Sequence, residues 1–376
     1  MCCSRHNHNT IIMIKLVFLF AALVASAIGS PAANLTASCT VTSYSAIATA
    51  VSSCTTLTIS GITVPAETTL TLSLKSGTKL TMEGTWTWKY AEWKGPLLKI
   101  TGSDVTVTGS GLTLNGQGAD YWDGKGDSGI KKPKFMTIAT TGGSTFSDIN
   151  LLNCPHQCIS ISSASDTTLE NFVIDVSDGD DNGGHNTDGF DVSGSTGITV
   201  KNSVVKNQDD CVAVNQGSDL VFSNLTCSGG HGLSLSVGQS TSNGSANKVS
   251  NVTFSDCTVT KSANGIHVKT HSDAGTGAIS DVTYKNIKLS SITKYGINVQ
   301  EDYADGSSTG SPKGNIPITN LVLNEVTGSM SGGSSSMAVY ILCGTDGCSD
   351  WKWSGVSVTN AKKDSSCNFT PTGYTC

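Results

Sequence analysis

From residue 146 onward one pattern recurs: alternating apolar residues, an Asn or Asp, more alternation, a polar loop, then a short strand-like run. "ITVKNSVVKNQDDCVAV" (198–214) aligns with "LVFSNLTCSGGHGLSLS" (220–236), and "VTFSDCTVTKSANGIHVK" (252–269) with "VTYKNIKLSSITKYGINVQ" (282–300). Earlier copies lie near Phe146–Ile161 and Thr167–Val192. Self-similarity at about 20–30 residues is the signature of a solenoid, and period-2 alternation makes its elements strands. Each copy is expected to form one coil of a single-domain, all-β, right-handed parallel β-helix, stacked about 4.8 Å from the next. The polar turns at Asp148, Asn153, Asn171, Asn202, Asn224, Asp256 and Asn286 fit that plan, because Asn and Asp tolerate left-handed backbone and bond along a stack. The competing architecture is a β-sandwich with coincidental similarity.

Stacking converts register into proximity. Aligning Phe190–Val192, Val212–Val214, Leu233–Leu235, Ile266–Val268 and Ile297–Val299 puts Gln157, Asp188, Asp210, His231, Asn264 and Tyr295 in one column. Beside it run His156, Thr187, Asp209, Gly230, Ala263 and Lys294, and past the strands a third column holds Ser193, Asn215, Ser236, Lys269 and Gln300. Asp188, Asp209 and Asp210 are thereby expected to converge, with His231 one coil further on. Three carboxylates this close do not all ionise cheaply, so one is expected to hold a proton near neutral pH. A protonated acid beside ionised partners suits glycosidic cleavage, in which one carboxyl protonates the leaving oxygen and another activates water.

The stretch "DGDDNGGHNTDGFD" (178–191) opens like a calcium loop, but the twelfth place, where an EF-hand carries Glu, holds Gly189. Asp178, Asp180 and Asp181 are read as a solvated loop over one end of the groove, and no metal or other cofactor is expected. Trp86, Trp88 and Tyr90 alternate at strand spacing and are read as packing residues rather than a sugar platform.

Residues 1–29 read as a signal peptide: Lys15 precedes the apolar run Leu16–Val24, and small residues follow at Ala25-Ser26-Ala27 and Gly29-Ser30. The run is too short to span a bilayer. Residues 30–376 are then one secreted, extracellular catalytic domain, taken to be a monomer without a membrane partner. Sequons at Asn34, Asn224, Asn243, Asn251 and Asn368 are glycosylation candidates. Cys39/Cys54, Cys211/Cys227, Cys343/Cys348 and Cys367/Cys376 sit as short-loop disulfides would, while the pairing of Cys154, Cys158 and Cys257 stays open. The only Arg is Arg5. Removing Arg5 and Lys15 from 23 basic residues, against 29 acidic ones, leaves a formal charge of −8. A broad basic face for nucleic acid is excluded.

"NTD" (186–188), "QDD" (208–210) and "GHG" (230–232) resemble, in order and spacing, the motifs of polygalacturonases, family 28 of the glycoside hydrolases. The likeness extends from Cys39 to Cys376 and includes "QEDY" (300–303), "LCGTDGCSDW" (342–351) and the four disulfide pairs. It implies hydrolysis of α-1,4 bonds in the galacturonan of pectin, with inversion. It also implies Asp209 as general acid, Asp188 and Asp210 positioning and deprotonating the water, and His231 supporting the acid. Asn186, Lys269 and Tyr303 are implied substrate contacts. Internal attack is expected, since no large inserted loop blocks the groove.

One departure stands out. The family usually carries Arg-Ile-Lys where this chain has His267-Val268-Lys269. An imidazole cannot make the two-pronged contact of a guanidinium and is cationic only when protonated. The substitution implies a weaker grip that improves toward acid, or tolerance of partly esterified pectin. It also leaves room for a catalytically impaired pectin-binding protein or decoy. Replacing His267 by Arg is expected to tighten binding of de-esterified polygalacturonate, read as a lower KM across pH 4–7 (about two units around the ordinary imidazole pKa).

Overall fold

The structure, a computed structural model, describes residues 38–304 and 306–376. The signal-peptide region and the Asn34 sequon lie outside the described residues. Strands wind into a right-handed parallel β-helix whose two sheets contain 18 and 12 strands among the described residues. The sandwich alternative is thereby discarded: successive strands pair in parallel with the coil above and the coil below, apart from a short antiparallel hairpin at Tyr303–Ser308.

Alternation decides what faces inward. Phe222, Phe254 and Tyr284 occupy equivalent places on three coils. Their rings stack at 4.8 and 4.7 Å, all fully buried. Such columns repeat the same side chain at the rung spacing, so each coil buries an apolar edge that it could not bury alone. The coils begin well before residue 146, at Ser38–Val41 and Thr56–Ser60. Outside the repeat, Tyr44–Ser53 is an α-helix that buries Ile47, Ala50 and Val51, a three-four spacing facing the first coils. It covers an end where unpaired apolar coil would otherwise meet water.

The turns behave as the polar ladder requires. Asp148, Asn153, Asn171, Asn202, Asn224, Asp256 and Asn286 all have φ between 51° and 58°. Asn171 donates to Asp148 at 3.0 Å, Asn224 to Asn202 at 2.9 Å and Asn286 to Asp256 at 2.7 Å, each across one rung. Two of the sequon asparagines, Asn224 and Asn251, belong to such ladders, Asn251 donating to Asp219. Asn243 and Asn368 sit on exposed loops.

All four expected disulfides are present: Cys39 with Cys54, Cys211 with Cys227, Cys343 with Cys348 and Cys367 with Cys376. Cys154 pairs with Cys158. Cys54 and Cys227 belong to the apolar core. Both are buried and pack within the apolar interior, Cys54 just past the end of the helix and Cys227 on the Gly217–Gly229 strand. Cys211, the partner of Cys227, is buried as well, so that bridge joins two strands within the core, whereas Cys39, the partner of Cys54, is only partly buried against it. Cys257 is a free, buried thiol whose burial pushes its pKa up to about 11, leaving it inert. Trp86 and Trp88 are buried as packing residues. Tyr90 is 45% exposed, because the strand ends at Trp88 and the alternation stops there.

Alternation also drives one carboxyl inward. In "QEDY" Gln300 faces outward and Glu301 inward, where it is fully buried. The Gly344 amide donates to Oε2 at 2.7 Å, while Oε1 has no partner. Burial raises its pKa to about 7. A carboxyl neutral in the fold but ionised when unfolded withdraws stability as pH rises from its unfolded value, about 4.3, through 7. Glu301→Gln is therefore expected to flatten the decline in unfolding free energy between pH 4.5 and 7, by an amount on the order of 2 kcal/mol, in urea titrations at each pH.

Candidate functional site

The acidic residues meet on the outer face of the 12-stranded sheet. Asp188 precedes the Phe190–Ser193 strand, Asp209 and Asp210 open Asp210–Val214, His231 precedes Gly232–Val237, and Lys269 lies on Asn264–His271. Asp188, Asp209 and Asp210 are each at least nine-tenths buried, yet all three line one depression of about 540 Å³ with Asn186, Lys269 and Tyr303. The disulfide cysteines, Cys54 and Cys227 included, take no part in its lining. The convergence expected from register holds. One detail differs: Asp210 pairs with Gly232, and the register shifts between Asp210 and Val212. The extra residue moves His231 beside Asp209 instead of Asp210. The His231 amide donates to the Asp209 carbonyl at 2.8 Å, and its Nδ1 lies 2.9 Å from Asp209 Oδ1.

Backbone geometry explains the glycines on either side of His231. Gly230 has φ +35°, and a Cβ there would meet the Asp209 carbonyl oxygen at 2.0 Å. Gly232 has φ +90°, and its Cβ would meet the Asn264 oxygen at 2.3 Å. Only glycine lets the two coils approach so closely.

Each carboxylate has defined partners. Asp209 accepts from its neighbour's amide, Asp210 N, at 2.8 Å and from Asn186 Nδ2 at 3.1 Å. Asp210 receives the Lys269 ammonium at 3.1 Å and the Ser234 hydroxyl at 2.5 Å. Lys269 Nζ also sits 5.0 Å over the Tyr303 ring. Asn207, 2% exposed, anchors the segment by donating to the carbonyls of Thr187 (2.9 Å), Asp209 and Asp210 (both 3.0 Å).

The charges are pushed apart. Burial, then the charges of Asp209, Asp191 and Asp210, raise the Asp188 carboxyl well above the usual range. Burial would raise Asp209 too, but the hydrogen bond and charge of His231, with help from Lys269, bring it below its ordinary value. Burial opposes protonation of His231, and the Asp209 hydrogen bond and charge outweigh it, so the imidazole pKa is raised. Asp188 therefore keeps its proton to higher pH than an ordinary carboxyl, while the pairing of Asp209 with His231 favours the ionised carboxylate and the protonated imidazole. One carboxyl retaining a proton matches the expectation from crowding.

His267 does not meet the expectation of an acid-strengthened grip. It is 8% exposed, with Asn264 Nδ2 3.3 Å from its Nδ1. Burial, then the cations Lys269, His231 and Lys294, hold its pKa well below the ordinary imidazole value against a weaker opposing pull from Gln300. It therefore stays neutral in mild acid. Nor does it simply face solvent. Asp178, Asp180 and Asp181 are exposed around a single helical turn at Gly179–Asn182, with Gln208 Nε2 donating to Asp180 at 2.8 Å. Asp209, Asp210 and His231 have ligand atoms within 4.8 Å of one another, but a cation there would compete with the Lys269 ammonium already on Asp210.

Sequence reasoning missed Asp191, Ser234 and Asn207. Asp191, Ala213, Ser234, His267 and Asn298 form a column through the middle of the strands, set by the same register. Asp191 lines the depression, and burial raises its carboxyl to about 7 despite the opposing Lys134 charge. The outward places of "FDVS", "CVAV" and "LSLS" would have found this column. Asn207 had no such signal, because its role lies in three carbonyl contacts that depend on the coil's curvature.

The description "Glycosyl hydrolases family 28" fits residues 54–376 of the chain. A polygalacturonase of Phaedon cochleariae is 49% identical over 363 residues, spanning 95% of this chain and 98% of that relative. Endopolygalacturonase I of Aspergillus niger is 48% identical over 303 residues, 80% of each chain. Among solved structures, endopolygalacturonase I from Stereum purpureum, complexed with two galacturonate, superposes with a TM-score of 0.77 at 35% identity, covering 87% of this chain and 96% of that one.

The buried Lys269–Asp210 pair generates a stability prediction. Removing one partner leaves an uncompensated charge, so Lys269→Met is expected to cost about 3–5 kcal/mol. Adding Asp210→Asn should recover most of that loss. Denaturant midpoints of the single and double variants check both, and an unchanged midpoint for Lys269→Met contradicts the pairing.

Proposed function

Because the chain belongs to family 28 of the glycosyl hydrolases, we propose that it is an endo-acting polygalacturonase that hydrolyses α-1,4-galacturonosidic bonds within the galacturonan of pectin. The observation that carries this reading is the 2.9 Å contact of His231 with Asp209, set beside Asp210 and its lysine and a buried carboxyl, Asp188, whose pKa burial and the neighbouring acids raise. Two kinds of carboxyl in one cleft are what glycoside hydrolysis needs.

In the proposed sequence Asp209 gives a proton to the leaving glycosidic oxygen. His231, which carries a proton at Nδ1 against Asp209 Oδ1, passes it to that carboxyl as the leaving oxygen is protonated; after turnover the neutral imidazole takes up a proton from solvent, and Asp210 releases to solvent the proton it takes from water. Asp210 takes a proton from a water that attacks the anomeric carbon from the opposite face, and the neutral Asp188 holds that water by a hydrogen bond. The bond to the leaving oxygen breaks as the water's oxygen bonds to carbon, which inverts the configuration. Asn186 orients the acid, and Lys269 and Tyr303 contact the substrate beside the scissile bond. The neutral His267 leaves the carboxylate grip to other cations. A decoy is the weaker reading, since the paired acids and His231 are intact and the similar proteins carry enzyme names.

Five disulfides support export to an oxidising compartment, where cell-wall pectin is the accessible polymer. No helix among the described residues is long and apolar enough to cross a membrane.

On polygalacturonic acid, viscosity is expected to collapse well before reducing ends accumulate, as internal cleavage requires. Asp209→Asn should lower kcat by about 10²–10⁴ without a matching rise in KM. The wild-type rate should fall on the alkaline side as pH passes the raised His231 pKa, because the pair then loses its proton. In His231→Gln that alkaline limb should move. Full activity in Asp209→Asn refutes the assignment.

A further inference from the structure

Asn186 sits in left-handed backbone, φ 52°, ahead of the Phe190–Ser193 strand, and its Nδ2 donates to Asp209 Oδ2 at 3.1 Å. Asp209 Oδ1 is already held by the Asp210 amide at 2.8 Å and by His231 Nδ1 at 2.9 Å. The Asn186 contact therefore fixes the other oxygen, and with it the carboxyl plane. A carboxamide is nearly symmetric in shape, and turned end for end it would press its carbonyl oxygen against the Asp209 carboxylate. What opposes that turn lies on another coil. The Asp127 amide donates to Asn186 Oδ1 at 3.2 Å, a place that an NH₂ group could not fill.

Residues 123–132, which carry that amide, form a loop knotted on itself ahead of the Met136–Thr141 strand. The Asp123 carboxylate accepts from the Lys132 ammonium at 2.8 Å and from the amides of Ile130 at 2.9 Å and Lys125 at 3.0 Å. These donors, the ammonium first, hold the Asp123 carboxyl below the ordinary range. Lys132, 7% exposed, also donates to the carbonyls of Gly126 and Ile130. His156 Nε2 lies 3.1 Å from the Asp127 carboxylate, a further tie to the body of the coil. Gly126 is packed so closely that an added Cβ would meet Asn186 Oδ1 at 2.0 Å. Yet no residue of 123–132 lines the acidic depression. Burying an ammonium is costly, and here the cost is borne to fix a loop that reaches the cleft through Asn186.

We propose that the 123–132 loop is a positioning brace for the catalytic acid: Gly126 and the Asp127 amide set the Asn186 carboxamide, and Asn186 in turn aims Asp209. The Asp123–Lys132 pair keeps the brace rigid. The loop's members are positioning residues that act through Asn186. The inference rests on the hydrolase reading above for its kinetic readout, whereas the setting of Asn186 is readable without turnover.

The test uses the full chain and polygalacturonic acid. Gly126 and Gly124 both have positive φ, +53° and +69°, so alanine strains the backbone at each. At 124 an added Cβ meets nothing within 4 Å, and the amide that donates to the Gly183 carbonyl at 3.0 Å is kept. Gly126→Ala should lower kcat about tenfold to a hundredfold, the scale of a misplaced catalytic group, with KM little changed. Gly124→Ala should keep the wild-type kcat. Asn186→Ala should lose as much as Gly126→Ala, and the double variant no more than the worse single, because two changes acting through one contact do not add. Asp123→Ala, which unties the loop without a clash, should lower kcat in the same way and serves if Gly126→Ala does not fold. Losses that multiply in the double variant overturn the brace, as does a wild-type kcat in Gly126→Ala or Asp123→Ala. An equal loss in Gly124→Ala also overturns it, since strain alone then explains the effect. The side-chain amide resonances of Asn186, identified by their absence from Asn186→Ala, should move in Gly126→Ala and stay in Gly124→Ala. Unmoved in both, they refute the brace whatever the turnover. Absence of reducing ends from the wild type counts against the hydrolase reading alone.

Discussion

The parallel stacking of one coil on the next, held in register by left-handed Asn and Asp turns, is the constraint on which the rest depends. A rung spacing near 4.8 Å leaves no freedom for a side chain to drift along the axis. A ladder such as Asn171 to Asp148 or Asn286 to Asp256 ties each turn to its neighbour outside the core, while Phe222, Phe254 and Tyr284 tie the coils inside it. Because both sets repeat in step, a slip of one residue would turn a buried aromatic out to solvent and break a polar ladder together. The acidic cleft inherits its precision from that double lock.

Electrostatics then distinguish carboxyls that register alone makes equivalent. Asp209 and Asp210 are adjacent in the chain and similarly buried, yet one faces His231 and the other Lys269. Asp188 faces neither as a close partner, and burial and the acids around it raise its pKa. Low local dielectric strengthens each of these pairings, which is why a mobile imidazole and a fixed ammonium give two acids different work. The arrangement also explains the fate of His267. Buried and set among cations, it is disfavoured from taking the proton that a charged grip would need.

The sheet face that carries the catalytic acids continues into a neighbouring depression that shares Lys269 and Tyr303. Asp191, Ser234, His267 and Asn298 belong to a single outward column broken at Ala213, so polar groups recur along the cleft on four of these five rungs. A polymer lying along the axis would meet a new set of partners at each coil. This is the physical advantage of a solenoid over a compact pocket for a long substrate.

By itself the sequence determined the solenoid, the inward and outward faces of each strand, and the convergence of Asp188, Asp209 and Asp210, because a period-2 pattern repeated at coil length has one consistent three-dimensional solution. It also marked four disulfides by their short loops. The repeat register by itself set His231 level with Asp210, and only the tertiary structure shows how it meets Asp209, the partner the family resemblance implied: a single extra residue near Cys211 shifts the register locally, and no repeat pattern records a bulge. The Cys154–Cys158 bridge, the three carbonyls gathered by Asn207 and the neutral state of His267 were likewise decided there. Each depends on distances and burial between coils, quantities that periodicity bounds but does not measure.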